Sequence, residues 1–163
     1  MEFVSEEIIN EVIQELEKNP DSYQSFVQAL SQEQPNILAY FFQEDFSLLT
    51  KEEHEYLLYL LIVIWRSVKM KLPECPLLSQ EIIGKMDESN WETLKDVKNG
   101  RFRERLDVFF ESYPQEDLLA FVEDALTYDE EEMAKVSNEG REYLFIALKS
   151  IIDAFHFQKI QTT

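Results

Sequence analysis

Glycine and proline are scarce in this 163-residue chain, which has three of the former and five of the latter. β-Sandwiches and barrels need many tight corners, and these residues are too few to make them. Cysteine is rarer still, because Cys75 stands alone. A single thiol excludes an intramolecular disulfide and any metal site that needs several thiolates. We therefore expect neither a β-protein nor a disulfide-stabilised or metal-thiolate scaffold.

The chain also has no long hydrophobic run. Its longest apolar stretch, Tyr56 to Trp65, has ten residues, whereas a membrane-spanning helix needs about 20. The first seven residues include three glutamates and no basic residue, whereas a signal peptide begins with a basic region followed by an apolar one. We therefore expect no membrane association and a cytoplasmic location.

Positive charge is in short supply. Fifteen Lys and Arg stand against 33 Asp and Glu, which gives a net charge of −18. Residues 1–60 carry a net −11 and residues 106–163 a net −9, whereas residues 61–105 carry +2. This exceeds the ~2–8 charges with which a domain of this size is usually soluble. Direct nucleic-acid binding needs concentrated Lys and Arg and is not expected; a basic partner is favoured instead.

The residues that are abundant favour helices. Glu outnumbers Asp 24 to 9, and Leu occurs 19 times, a bias toward good helix formers and away from strand residues. Apolar residues recur at helical spacing in most segments, and no stretch alternates as a half-buried strand does. We predict an all-α protein, either a multi-helical bundle or a short stack of helical repeats, with about eight to nine helices.

Serine and threonine residues mark where several helices begin. Helices are predicted to begin after the following N-caps: Ser5, Thr50, Ser79 and Ser89. Thr50 forms a capping box with Glu53, and Ser89 forms another with Glu92. We therefore expect one short helix between Ser79 and Ser89 and a second one after Ser89, which ends at Gly100.

The two halves of the chain resemble each other. Asn-Ile-Leu-Ala-Tyr at 36–40 is similar to Asp-Leu-Leu-Ala-Phe at 117–121, and each precedes a long helix. Those helices contain Glu-Tyr-Leu-Leu at 55–58 and Glu-Tyr-Leu-Phe at 142–145. The pattern favours two pseudo-repeated four-helix units. Amphipathic helices also resemble each other by chance, so both interpretations stay open.

The domain boundaries follow from the same pattern. We expect a single all-α domain, 1–163, with two sub-units, 1–72 and 77–160. The segment 71–76 contains Pro73 and Pro76 and is the best candidate for a linker between them.

The two long helices differ in polarity. Tyr56 to Trp65 is apolar on every face, so this helix is expected to be central or to meet a partner subunit. The second-half counterpart carries Lys149, Ser150 and Asp153, and we expect it to show one face to water. A homodimer formed through the 51–70 helix is the alternative to central burial.

No constellation for metal, cofactor or catalysis is found. His54 and His156 are the only histidines, and neither has a Glu three residues before it, as helical di-iron sites require. The three glycines are isolated, so no phosphate-binding loop is present. Cys75 lies between prolines with no histidine near it in sequence. We predict no catalytic, cofactor or metal residues.

One acidic segment is the predicted partner-binding site. It places an aromatic ring beside four adjacent carboxylates, a combination that suits an arginine-rich partner. The residues are Tyr128, Asp129, Glu130, Glu131 and Glu132. The alternative is an ordinary helix N-terminus, where acidic residues are favoured by the helix dipole.

The absence of catalytic motifs and the large charge together suggest a function. We expect a non-enzymatic acidic helical module that binds a basic protein, with an inhibitor or immunity-type mimic of nucleic acid as a narrower version. The alternatives are a small helical enzyme with a carboxylate-lined cleft, and a structural homo-oligomer formed through the 51–70 helix.

Overall fold

The computed structural model of the chain describes residues 1–43, 49–98, 100–127 and 138–161, and these are helical without any strand. This confirms the predicted all-α class and the number of helices. The eight helices are α1 (Glu6–Lys18), α2 (Pro20–Glu33), α3 (Pro35–Phe41), α4 (Lys51–Lys71), α5 (Gln80–Lys95), α6 (Phe102–Phe110), α7 (Glu116–Leu126) and α8 (Asn138–Gln161). None of these helices is both long enough and apolar enough to cross a membrane.

Three predicted N-caps are confirmed. The hydroxyl oxygens of Ser5 and Ser79 accept hydrogen bonds from the third backbone N–H of α1 and α5. Thr50 Oγ1 accepts from the Glu53 N–H at 3.1 Å, and Glu53 Oε1 accepts from the Thr50 N–H at 3.0 Å. Both halves of this capping box are therefore formed, which satisfies backbone donors that the first turn of α4 leaves free.

The predicted break at Ser89 is wrong. Helix α5 runs without interruption from Gln80 to Lys95, so Ser89 lies inside it. The next residue, Asn90, is 5% exposed and points at α8, where it contacts Ser150 and Asp153. Tertiary packing along one face of α5 thus overrides the local capping signal. The helix also ends before the predicted Gly100, which lies two residues before the start of α6 and has φ +128°, in the region that favours glycine.

Helix α8 is the centre of the molecule. It packs against α4, α5 and α7, and every residue from Leu144 to Phe155 is buried. The expected water-facing side with Lys149, Ser150 and Asp153 is therefore wrong. These side chains can be buried because each has polar partners. Two of those partners lie outside α8, one on α5 and one in the α6–α7 connection.

A closed polar network surrounds Lys149. Its Nζ donates to Asn90 Oδ1 at 2.8 Å and to Asp153 Oδ2 at 2.9 Å, and it lies 4.7 Å from the centre of the Tyr113 ring. Asp153 also accepts from the Tyr113 hydroxyl at 2.5 Å and from Asn90 Nδ2 at 3.0 Å. Burial and the Asp153 carboxylate raise the pKa of Tyr113, so the phenol stays a proton donor. The network holds α5, α8 and the α6–α7 connection together.

Helix α4 is buried on all sides only between Leu60 and Trp65. Residues 60–65 are buried, whereas Tyr56, Leu58 and Tyr59 are half-buried. Central burial is therefore found from Leu60 to Trp65 and not before it, and the alternative of a partner subunit on this helix stays a prediction. The first half of α4 lines surface grooves instead.

Two buried glutamines connect the halves of the chain in the same way. Gln34, immediately before α3, accepts a hydrogen bond from the Leu78 N–H at 3.0 Å and donates one to the Pro76 carbonyl at 2.8 Å. Gln115, immediately before α7, accepts from the Val4 N–H at 3.0 Å and donates to the Glu2 carbonyl at 2.9 Å. In each case the bridged segment is the one that leads into the first helix of the other half.

The helix packing shows the same reciprocity. Helix α3 packs against α5, and α7 packs against α1, so the third helix of each half contacts the first helix of the other. Within the halves, α1 packs against α4 and α5 packs against α8, while α4 and α8 meet in the middle. The internal duplication remains a proposal, which these equivalent contacts support.

Candidate protein-interaction site

Two strongly acidic helices meet on one side of the fold. Helices α1 and α7 pack against each other, and together they carry nine carboxylates and one lysine. The first and last thirds of the sequence, each strongly negative, thus contribute adjacent helices to one surface. Charges this close reinforce each other within the ~8 Å screening length at physiological ionic strength.

A groove of about 410 Å³ runs between these helices, and we call it the α1–α7 groove. Carboxylates lie beside apolar side chains along it. Its lining is Glu6, Ile9, Asn10, Asp117, Ala120, Phe121, Asp124 and Ala125. Such a surface complements a segment that carries both aliphatic stems and cationic ends, because Lys and Arg side chains have both.

Two of the three carboxylates in the α1–α7 groove are held in place. Asp117 Oδ2 accepts a hydrogen bond from the Glu6 backbone N–H at 2.9 Å, which fixes the start of α1 on α7. Asp124 Oδ1 accepts from Arg103 at 2.9 Å. The Glu6 side chain makes no ion pair with any described residue and is exposed. The groove therefore keeps unneutralised negative charge on ordered helices.

A second groove of about 570 Å³ lies near the C-terminal end of α1, between α1, α2 and α4, and we call it the tyrosine groove. Two tyrosines and two glutamates stand over an apolar floor. Its lining is Leu16, Glu17, Pro20, Tyr23, Gln24, Glu55, Leu58 and Tyr59. The ring centres of Tyr23 and Tyr59 are 6.4 Å apart and the rings are inclined by 41°.

The surroundings of these tyrosines disfavour further negative charge. Burial raises the pKa of Tyr23, and the neighbouring Tyr59 and Glu55 raise it further. Burial also raises the pKa of Tyr59, with Glu17 as the second cause. Both phenols are neutral at physiological pH, and the negative potential of Glu17 and Glu55 attracts cations.

The two histidines lie in different parts of the fold. His54 lines a mostly apolar groove of about 260 Å³ between α3 and α4. The ring Nδ1 of His156 lies 3.3 Å from Gln115 Nε2, and burial lowers the pKa of this histidine. Within the described ranges, no group of three or more His, Cys, Asp and Glu side chains is arranged to hold a metal ion.

Cys75 is a partly buried thiol beside the Gln34 bridge, with its Sγ 4.0 Å from Gln34 Nε2. Burial raises its pKa to about 12, only partly opposed by the nearby Lys69.

Because the thiolate is the reactive form, we expect iodoacetamide at pH 8 to modify folded Cys75 about 1000-fold more slowly than the same residue in denaturant. Mass spectrometry measures both rates, and similar rates would contradict the assignment.

The predicted partner-binding residues Tyr128, Asp129, Glu130, Glu131 and Glu132 lie outside the described residues, and the structure says nothing of them. The C-terminal part of α8 packs on the rest of the fold as far as it is described. Phe155 is buried, and Gln158 Nε2 donates to the Leu77 carbonyl at 2.7 Å.

Sequence reasoning missed both grooves. Tyr23 fits the apolar stripe of α2, and Tyr59 lies in the apolar run of α4, so each reads as core. Their proximity depends on how α2 crosses α4, which no spacing within either helix encodes. The acidity of α1 and α7 is evident from the sequence, but the contact between the two helices is not.

Comparisons of the chain with family models, curated proteins and solved structures found no match.

Proposed function

We propose that the protein is a non-enzymatic interaction module that binds a basic segment of another protein along α1. The observation that carries this proposal is the α1–α7 groove, in which unneutralised carboxylates border an apolar floor. A Lys- or Arg-bearing segment would bury its aliphatic stems on Ile9 and Phe121 and place its charged ends at the carboxylates.

The electrostatics give this binding a recognisable signature. Opposite charges accelerate encounter at low ionic strength, and salt removes most of this advantage at an exposed surface. The apolar floor contributes a part of the binding free energy that salt does not screen. We therefore expect affinity to fall with salt concentration without vanishing.

The test is a titration with a defined probe, a synthetic peptide that repeats lysine and leucine at helical spacing, followed by calorimetry at low and high salt. Glu6→Gln combined with Glu11→Gln removes two charges from the exposed side of α1. We expect these changes to weaken binding about five- to tenfold at low salt and much less at high salt.

The matched control removes two charges elsewhere. Glu81→Gln with Glu88→Gln makes the same change on α5, which packs against α3, α6 and α8. The control variant should bind like the original protein. Equal weakening by both pairs would mean that net charge alone attracts the peptide, and this would overturn a site on α1.

The narrower version, an inhibitor that imitates nucleic acid, has its own test. If the partner recovered from cells is a nucleic-acid-binding protein, a DNA duplex should compete with this chain for it. A partner that binds this chain and the duplex at the same time would contradict mimicry and leave the basic-partner proposal standing.

A further inference from the structure

We infer that the tyrosine groove receives an arginine side chain from the basic segment that binds along α1. This inference rests on the proposed function and names the anchor that the partner would supply. The tyrosine groove is larger than the α1–α7 groove, and both contain α1 residues: Glu6, Ile9 and Asn10 in the α1–α7 groove, and Leu16 and Glu17 in the tyrosine groove.

The chemistry of the lining selects a flat cation. A guanidinium lies face-on against an aromatic ring and forms hydrogen bonds along its edge, whereas an ammonium is a compact, strongly hydrated charge. The tyrosine groove offers two half-buried rings, Tyr23 and Tyr59, together with the carboxylates of Glu17 and Glu55. Leu16 and Leu58 provide apolar surface for the aliphatic part of the side chain.

The polar groups of the groove are available. Neither the Tyr23 nor the Tyr59 hydroxyl donates a hydrogen bond to another described residue. Glu55 has only a long contact to the exposed Lys51, 3.9 Å between Nζ and Oε1. An incoming guanidinium therefore displaces water rather than an existing ion pair.

The same pair of helices already stacks an arginine on a ring. Two turns after Tyr59 along α4, the Arg66 guanidinium carbon lies 4.2 Å from the centre of the Phe26 ring on α2. Phe26 follows Tyr23 by one turn. The separation of α2 and α4 thus accommodates a guanidinium over an aromatic face. At the tyrosine groove, a partner would supply the corresponding guanidinium.

The experiment compares three peptides that differ at one position. Each is an amphipathic helix with leucine on one face and a single central arginine, lysine or citrulline. Citrulline keeps the shape of arginine without its charge. We expect the arginine peptide to bind this protein about tenfold more tightly than the citrulline peptide, with the lysine peptide between them.

Protein variants test whether this difference in peptide affinity arises in the tyrosine groove. Tyr59→Leu should weaken the arginine peptide about five- to tenfold and leave the citrulline peptide nearly unchanged, whereas Tyr59→Phe should retain most of the affinity because the ring face remains. The matched control is Tyr143→Leu, at an exposed tyrosine on α8 that packs against Trp91. Circular dichroism verifies that each variant is folded.

The outcomes separate the two proposals. If Glu6→Gln with Glu11→Gln weakens the arginine peptide but Tyr59→Leu does not, the arginine anchor is wrong and the binding surface on α1 stands. If the citrulline peptide binds as tightly as the arginine peptide, the groove recognises apolar surface and the inference fails. If no basic peptide binds the unmodified protein, the proposed function fails as well.

Discussion

Replacing Lys149 with methionine is expected to lower the free energy of unfolding by about 3–5 kcal/mol. Methionine nearly fills the volume but leaves Asp153, which is 4% exposed, with a buried charge and no cation. The remaining donors, Tyr113 and Asn90, hydrogen-bond the carboxylate without neutralising it. Urea denaturation followed by circular dichroism measures the change.

A surface pair with the same spacing provides the control. Lys85 and Glu81 lie one helical turn apart with a closest Nζ–Oε1 distance of 3.2 Å, and both are largely exposed. Lys85→Met should cost less than about 0.5 kcal/mol, because exposed ion pairs contribute little. If Lys149→Met were as mild as Lys85→Met, water would have to reach Asp153, and the closed network would be refuted.

The double variant tests whether the two charges depend on each other. Lys149→Met combined with Asp153→Leu removes both charges, so the cost should be smaller than the sum of the single changes. A coupling energy of about 1–3 kcal/mol is expected for residues in one network. Additive effects would mean that Lys149 and Asp153 contribute independently, contrary to their 2.9 Å contact.

The sequence predicts those parts of the fold that depend on neighbouring residues. Caps such as Ser5 and the box from Thr50 to Glu53 act within one turn, so the pattern that encodes them is complete in the sequence. The break expected at Ser89 failed because the decisive contact of Asn90 is with residues 60 and 63 positions away. Local signals lose to tertiary contacts when the two disagree.

Polar residues on α8 show the same limit in another form. Lys149 and Asp153 within an apolar helix indicate a water-facing side, because charges are rarely buried without a partner. Their partners come from α5 and from Tyr113, and neither can be identified from the periodicity of α8. The tyrosine groove was invisible for the same reason, since it forms only where α2 crosses α4.

The second large effect is expected at the two bridging glutamines. Gln115→Ala removes the partners of the Val4 N–H and the Glu2 carbonyl, and Gln34→Ala does the same to Leu78 and Pro76. A buried backbone group without a partner costs about 1–3 kcal/mol. We therefore expect each variant to lose about 2–4 kcal/mol in urea denaturation.

The comparison between the two variants carries the argument for an internal duplication. If the halves descend from one unit, Gln34 and Gln115 occupy the same position before the third helix of that unit, and their losses should agree within about 1 kcal/mol. Gln32→Ala, at an exposed position on α2, should change stability by less than about 0.5 kcal/mol. A large loss at one glutamine and none at the other would mean that only one bridge stabilises the fold, and their matching geometry would then be no argument for a repeat.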